Sequence, residues 1–232
     1  MLRAVVFDFN GVIVNDEPIH LEMYQKVLLE QGISLETESY YANYLGLDDR
    51  GCFKAVYRNL GRNLNESGLR EMIDRKARYY RESIEKRLVP FAGVETLIAN
   101  LSSHLPLAIA SGALRDEIEL ALAKIGIRSY FQAIVSAEDV REAKPDPEIF
   151  RKALSLLNQR SPRESIEPSE CLVIEDSKEG IHGAHRAGMK CLAISNSHPA
   201  EELEKADAVI NSLVGIDVGF LERLFSSGVK GR

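Results

Sequence analysis

The sequence predicts an α/β protein with a parallel sheet between two helical layers and an all-α unit inserted after the first strand. Three observations carry this. Short apolar runs alternate with helical patterns from residue 88 onward, and that alternation needs parallel pairing with helices on both faces. Residues 15–87 show helical periodicity and no convincing strand. Several apolar runs also end on a polar residue of distinct chemical type. The predicted divisions are 1–14 with 88–232 for the core and 15–87 for the insert.

Val5-Val6-Phe7 opens the chain as a buried strand that runs out at Asp8, with Gly11 as the break. Asp16-Glu17-Pro18 predicts a helix start, an acidic cap followed by proline in the first turn. Ile19, Met23, Val27 and Leu28 then recur at helical spacing until Gly32. A short helix is expected over Ser39 to Tyr44, ending at Gly46. Phe53, Val56, Tyr57 and Leu60 predict a third, stopped by Gly61. Glu66 to Lys86 reads as a long polar helix with Leu69, Met72, Ile73, Ala77 and Tyr80 along one side. Tyr40, Tyr41 and Tyr44 are expected in the core of this insert. After the break at Leu88 to Gly93, helices are predicted at Val94–Leu101, Leu114–Ile125, Pro147–Leu157 and Glu179–Ala187. Strands are predicted at Leu105–Ala110, Phe131–Ser136, Cys171–Ile174, Lys190–Ile194 and Ala208–Ile210, with a surface loop over Gln159 to Glu170.

The chain is 45% hydrophobic and 28% charged, as a soluble globular protein is. Its net charge of -6 argues against nucleic acid and against an anionic membrane surface. No run is long enough to span a bilayer, and the start of the chain is a poor signal peptide. Cys52, Cys171 and Cys191 form no CxxC pair, which fits buried free thiols and a cytoplasmic setting. A monomer or a homodimer is expected.

If the sheet is parallel, Asp8, Ser111, Glu175-Asp176 and the Lys144-Pro145-Asp146-Pro147 segment face one rim, where ligands of such sheets bind. Three carboxylates in one crevice need a cation, and a hard divalent ion such as Mg²⁺ meets that need. Lys144 would keep Asp8 ionised and neutralise an incoming anion, to which Ser111 would donate a hydrogen bond. A carboxylate beside a metal and a lysine, facing a phosphate, is arranged to attack phosphorus.

These residues carry a resemblance. Asp8-Phe9-Asn10-Gly11-Val12, Ser111, Lys144-Pro145-Asp146-Pro147 and Glu175-Asp176-Ser177 resemble, in order and spacing, the four motifs of the haloacid dehalogenase-like hydrolases. The helical insert is similar to that family's type-1 cap. Asn15 to His20 resembles the cap start of the branch holding beta-phosphoglucomutase and sugar-phosphate phosphatases. The resemblance implies a Rossmann-like three-layer core and a hydrolase acting on a small phosphorylated metabolite. It implies Asp8 as the nucleophile that becomes an aspartyl-phosphate, with Ser111, Gly112 and Lys144 holding the phosphoryl group. It further implies Mg²⁺ on Asp8, the main-chain carbonyl of Asn10, Asp176 and Glu175. Arg50 would clamp substrate from the loop after Gly46. Lys76 and Arg115 would be further substrate contacts, and His20 would line the hinge.

One departure matters. The phosphatase pattern has a second aspartate two residues after the nucleophile, and here Asn10 stands there. In the family that aspartate protonates the leaving oxygen and then activates water. An amide does neither, and losing a positioned acid or base costs about 10²–10⁴-fold. Asn10 is compatible with an engineered slow enzyme, with a phosphate-ligand-binding homologue that does not turn over, or with an enzyme using a good leaving group or another acid such as His20 or Asp16. A phosphosugar mutase needs the missing group even more.

Blander readings stand beside these. Lys76 lies among Arg75, Arg78 and Arg81, a run that usually marks a solvated face. Glu175-Asp176-Ser177 would also serve as a helix N-cap. His182 and His185 sit three apart on a helix, where Gly183 and Ala184 suggest close packing rather than a metal.

Overall fold

A computed structural model describes residues 1–160 and 165–227. Strand β1 (Ala4–Phe7) is followed by four helices, α1 (Glu17–Leu29), α2 (Thr37–Asn43), α3 (Asp49–Asn59) and α4 (Glu66–Arg87). Then come α5 (Val94–Ser102), β2 (Leu107–Ala110), α6 (Arg115–Lys124), β3 (Ala133–Val135), α7 (Glu148–Arg160), β4 (Cys171–Glu175), α8 (Lys178–Arg186), β5 (Lys190–Ile194), β6 (Ala208–Ile210) and α9 (Val218–Ser227). The strands form one parallel sheet in the order β3-β2-β1-β4-β5-β6.

Alternate strand residues serve opposite cores. Val5, Phe7, Leu172 and Ile174 pack with residues of α5, α6 and α9, while Ala4, Val6, Cys171 and Val173 pack with α7 and α8. Covering both faces explains why these strands read as continuous apolar runs. β1 lies mid-sheet, with β2 on one side and β4 on the other, so the chain changes direction across it. The crevice beyond the carboxyl ends of β1, β2 and β4 is therefore the natural ligand position.

After Phe7 the chain turns at Gly11, whose φ of 74° a side-chain-bearing residue rarely adopts. Val14 makes an antiparallel bridge to Pro90, and the Asn15 N–H donates to the Val89 carbonyl at 2.9 Å. This bridge brings the two ends of the helical insert together beside the crevice. The insert has its own core of Tyr24, Leu28, Phe53 and Leu69, while Met23, Tyr80 and Ile84 join it to the core beneath the sheet. Tyr40 and Tyr44 are buried there as expected, but Tyr41 is 43% exposed.

Other expectations need correction. Asp16 stands at the N-cap of α1 with proline in the first turn, as expected, but its side chain makes no capping hydrogen bond and is buried in a polar network. Lys76 is not on a solvated face but fully buried. Helix α9 was not anticipated, though Phe220, Leu221, Leu224 and Phe225 recur at helical spacing. The surface loop expected over 159–170 lies in part outside the described residues. α7 runs through Arg160, and the Asn158 side chain brackets Ile166 with two hydrogen bonds at 2.9 and 3.0 Å. All three cysteines are buried and unpaired. Gly183 does pack closely, since a Cβ there would meet the Phe150 ring at 2.9 Å, and His185 pairs with Asp207. Among the described residues no helix is long and apolar enough to cross a membrane.

Candidate active site

Register assembles the site. Phe7 lies beside Ile109 and Ile174, so Asp8, Ser111 and Glu175 leave their strands at one rim. The Asp8 N–H donates to the Ile174 carbonyl at 2.9 Å, which fixes its backbone while the carboxylate faces the crevice. Lys144, from the segment before α7, places Nζ 2.9 Å from Asp8 Oδ1 and also contacts Glu175 Oε1. The approach to Asp8 is an ion pair off the hydrogen-bonding direction, so that buried oxygen accepts no hydrogen bond.

Glu175 is fully buried and saturated. Its Oε2 accepts from the Asp176 N–H at 2.9 Å, the Ser177 N–H at 3.0 Å and the Ser177 hydroxyl at 2.8 Å. Ser177 caps α8 by accepting from the Gly180 N–H, so the capping and site readings both hold. Gly180 is required here, because a Cβ would lie 1.9 Å from the Glu175 carboxyl. Gly11 plays the same part for Asp176, whose Oδ2 would be 1.8 Å from a Cβ. The Ser197 hydroxyl holds that same Asp176 oxygen. Ser111 is buried, its Oγ accepts from the Ala113 N–H at 3.1 Å, and with Gly112 it lines the crevice.

Three carboxylates confront one ammonium. Burial, then Glu175, raise Asp8 to about 7 against the pull of Lys144. Burial, then Glu175 and Asp8, hold Asp176 well above the usual carboxylate range. Burial also acts on Glu175, but Lys144 and Ser177 outweigh it and its pKa is lowered. Burial opposes the Lys144 ammonium, yet Asp8 and Glu175 hold its pKa above the ordinary value. Oxygens of Asp8, Glu175 and Asp176 lie within 4.8 Å of one another. This all-oxygen, anion-rich donor set suits a hard divalent cation.

The Asn10 amide is engaged by Asp16 and His20. Its Nδ2 donates to both Asp16 oxygens at 3.1 and 2.9 Å and lies 3.0 Å from His20 Nε2. Asp16 also accepts from the Tyr80 hydroxyl and contacts His20 Nε2 at 3.1 Å. Burial would raise the Asp16 pKa, but His20 and its hydrogen bonds bring it below the ordinary value. Burial and Lys76 push the His20 pKa down, and Asp16 outweighs them, so the net direction is up. The result is a buried carboxylate–imidazole pair in contact with position 10.

Of the remaining sequence candidates, His20 lines the crevice. Arg50 does not line this crevice but an adjoining cavity that shares Asp49, Gly112 and Lys144 with it, and its guanidinium pairs with Glu66 at 2.9 Å, both side chains being about half exposed. Arg115 is occupied by Asp139 and the Ile134 carbonyl. Lys76 sits behind the crevice wall, 2.6 Å from Asp49 and 3.8 Å from Glu117. Sequence reasoning missed Asp49 and Glu117, which both line the crevice. Glu117 had a signal: it occupies the apolar stripe of Leu114, Ile118 and Ala121, where a carboxylate needs a reason.

Residues 5–194 match the family model described as haloacid dehalogenase-like hydrolase, and the chain belongs to that family. It is 29% identical over 230 residues to the chloroplastic 5-amino-6-(5-phospho-D-ribitylamino)uracil phosphatase of Arabidopsis thaliana, covering 95% of this chain and 57% of that protein. It is 28% identical over 217 residues to validoxylamine A 7'-phosphate phosphatase of Streptomyces hygroscopicus subsp. limoneus, covering 93% of this chain and 96% of that one. Its fold matches a crystal structure of beta-phosphoglucomutase from Clostridium difficile at a TM-score of 0.86, 23% identity and 98% of each chain.

Proposed function

We propose that the protein is a Mg²⁺-dependent phosphatase that hydrolyses a small phosphorylated metabolite through an aspartyl-phosphate on Asp8. The observation that carries this is the shared crevice in which Asp8, beside Lys144 and Asp176, faces Ser111 and Gly112. The family membership and the phosphatase names of the relatives support it.

In this reading an Asp8 oxygen forms a bond to phosphorus as the bond to the leaving oxygen breaks. Lys144 and the Ser111 hydroxyl hold the phosphoryl oxygens. Asp8, the Asn10 carbonyl and Asp176 would hold Mg²⁺, with Glu175 fixing Lys144 and the turn beneath it. The ion would neutralise charge on the transferring phosphoryl group. Water then attacks the aspartyl-phosphate, releasing phosphate and restoring the Asp8 carboxylate. The helical insert acts as a cap that excludes water from the first step and admits it for the second. The leaving oxygen needs a proton that Asn10 does not supply. His20, which lines the crevice beside Asn10 and pairs with Asp16, would supply it.

A second reading, a homologue that binds a phosphorylated ligand with little turnover, draws on the same amide at position 10. Phosphate release from an aryl phosphate and from sugar phosphates, with and without Mg²⁺, separates the two. Metal-dependent release that Asp8→Asn abolishes supports the enzyme. Tight Mg²⁺-dependent binding with no release over long incubation supports the binder.

A further inference from the structure

Asp176 is the least tethered of the three carboxylates in the crevice. Glu175 is held by Lys144, the Ser177 hydroxyl and two backbone N–H groups, and Asp8 is paired with Lys144. Among the described residues, the donor that reaches the Asp176 side chain is the Ser197 hydroxyl, which holds Oδ2. Asp176 is 5% exposed, and oxygens of Asp8 and Glu175 lie within 4.8 Å of one of its own. Like charges so close favour a carboxylate that turns away or takes up a proton. A hydroxyl donating to it opposes both.

Ser197 belongs to the segment that leaves β5. β5 lies beside β4 on one side, with Ala193 opposite Glu175, and β1 lies beside β4 on the other, with Phe7 opposite Ile174. The exits of β1 and β5 therefore flank Asp176 and meet over it. Asn196 pins them together, its Nδ2 donating to the Gly11 carbonyl at 2.7 Å. Behind it the Ser195 N–H donates to the Ile210 carbonyl at 3.0 Å, which ties the segment to the end of β6. The approach is close: a Cβ on Gly11 would lie 1.8 Å from Asp176 Oδ2 and 2.7 Å from Ser197 Oγ. Ser197 itself lines the crevice with Asp8 and Asp176.

A side chain that donates to a metal ligand fixes that ligand's orientation, and removing one typically costs about 10–100-fold in metal affinity or activity. Ser197 takes one oxygen of Asp176 and leaves the other without a hydrogen-bond donor among the described residues. Asn196 holds the carbonyl of Gly11, the residue next to the Asn10 carbonyl. The segment after β5 thus bears on two of the groups that the phosphatase reading gives to Mg²⁺.

We propose that Ser197, on a segment that Asn196 pins to the Gly11 turn, is a positioning residue of the metal site: its hydroxyl sets the Asp176 carboxylate in the orientation that accepts a divalent cation. This rests on the reading of Asp8 and Asp176 as metal ligands in a phosphatase, and it is measurable without substrate or turnover.

The test titrates Mn²⁺, which shares the preference of Mg²⁺ for oxygen ligands, into the full-length protein and reads the bound ion by electron paramagnetic resonance. Ser197→Ala removes the hydroxyl. Ser197→Thr and Ser197→Val match each other in shape, and only the first keeps a hydroxyl. Ser197→Ala and Ser197→Val should raise the Mn²⁺ dissociation constant by about tenfold or more, the scale of lost support behind a metal ligand, while Ser197→Thr stays within about threefold of the parent. Metal-free melting curves establish that each variant is folded, and the Ser197→Thr and Ser197→Val pair suffices if Ser197→Ala is not. Binding of Mn²⁺ by Ser197→Ala within about twofold of the parent overturns the inference. So does an equal loss in Ser197→Thr and Ser197→Val, which would assign the effect to packing, and so does a parent that binds no Mn²⁺. Phosphate release from p-nitrophenyl phosphate by the parent, with Mg²⁺, tests the phosphatase reading alone. A hydroxyl-dependent shift in Mn²⁺ affinity without release sinks that reading and keeps the positioning role, while release with unshifted affinity does the reverse.

Discussion

Asn10→Asp is the most informative substitution. The Asn10 amide nitrogen lies 2.9 Å from Asp16 Oδ2, so the new carboxyl would put two carboxylates in contact. At an effective dielectric near 20, two unit charges so close repel by about 5 kcal/mol, or several pKa units. The pair therefore takes up one proton at neutral pH. Asp16 is already held ionised by His20 and the Tyr80 hydroxyl, so the proton goes to the new carboxyl at position 10. A protonated carboxyl two residues from the nucleophile is a general acid, and phosphate release should rise by about 10²–10⁴-fold. The assay is initial-rate phosphate release with Mg²⁺ from a sugar phosphate and from p-nitrophenyl phosphate. The gain should be larger for the sugar ester, because an alkoxide needs a proton to leave and a nitrophenolate does not. The variant should also melt at a lower temperature than the parent at pH 8, with the gap closing toward pH 5. The double variant Asn10→Asp with Asp16→Asn removes the repulsion and should lose that pH-dependent gap. No gain in turnover with either ester would refute the phosphatase reasoning. An unchanged melting profile would refute the electrostatic contact.

Two further outcomes follow from the same geometry. In the metal-free fold, burial and then Glu175 push the Asp8 carboxyl from its ordinary 3.8 up to about 7. The folded state therefore binds more protons than the unfolded chain, so this group's contribution to stability falls as pH rises between about 4 and 7. Thermal melts without metal should show that decline, Asp8→Asn should flatten it, and Mg²⁺ should raise the melting temperature most at the high-pH end. A slope unchanged by Asp8→Asn would count against the assignment. Arg50→Ala should leave the melting temperature nearly unchanged and sugar-phosphate affinity within about twofold, because the guanidinium is held by Glu66 in a half-exposed ion pair. A tenfold or greater loss of affinity, read by calorimetry, would mean that the loop closes Arg50 over the ligand.

The parts of this protein legible in the sequence are those fixed by local pattern or by strand register. The strands were readable because burial on both faces makes them continuous apolar runs. Asp8, Ser111 and Glu175 were readable as one group because parallel pairing lines up the ends of β1, β2 and β4. Lys76 was not, because Arg75 and Arg78 beside it suggest a solvated face. Its burial is decided by Asp49 and Glu117, 27 and 41 positions away in the chain. Asp16 misled in the same way: Asp-Glu-Pro is a good local helix start, yet the carboxylate is claimed by Asn10, His20 and Tyr80. Position 10, where an amide stands in place of an acid, is also one half of a contact. The carboxylate missing two residues after Asp8 has a counterpart at position 16, at hydrogen-bonding distance from the amide that replaces it. Within the proposed mechanism, positions 10 and 16 are one unit with His20, so a substitution at either position changes the proton inventory of both.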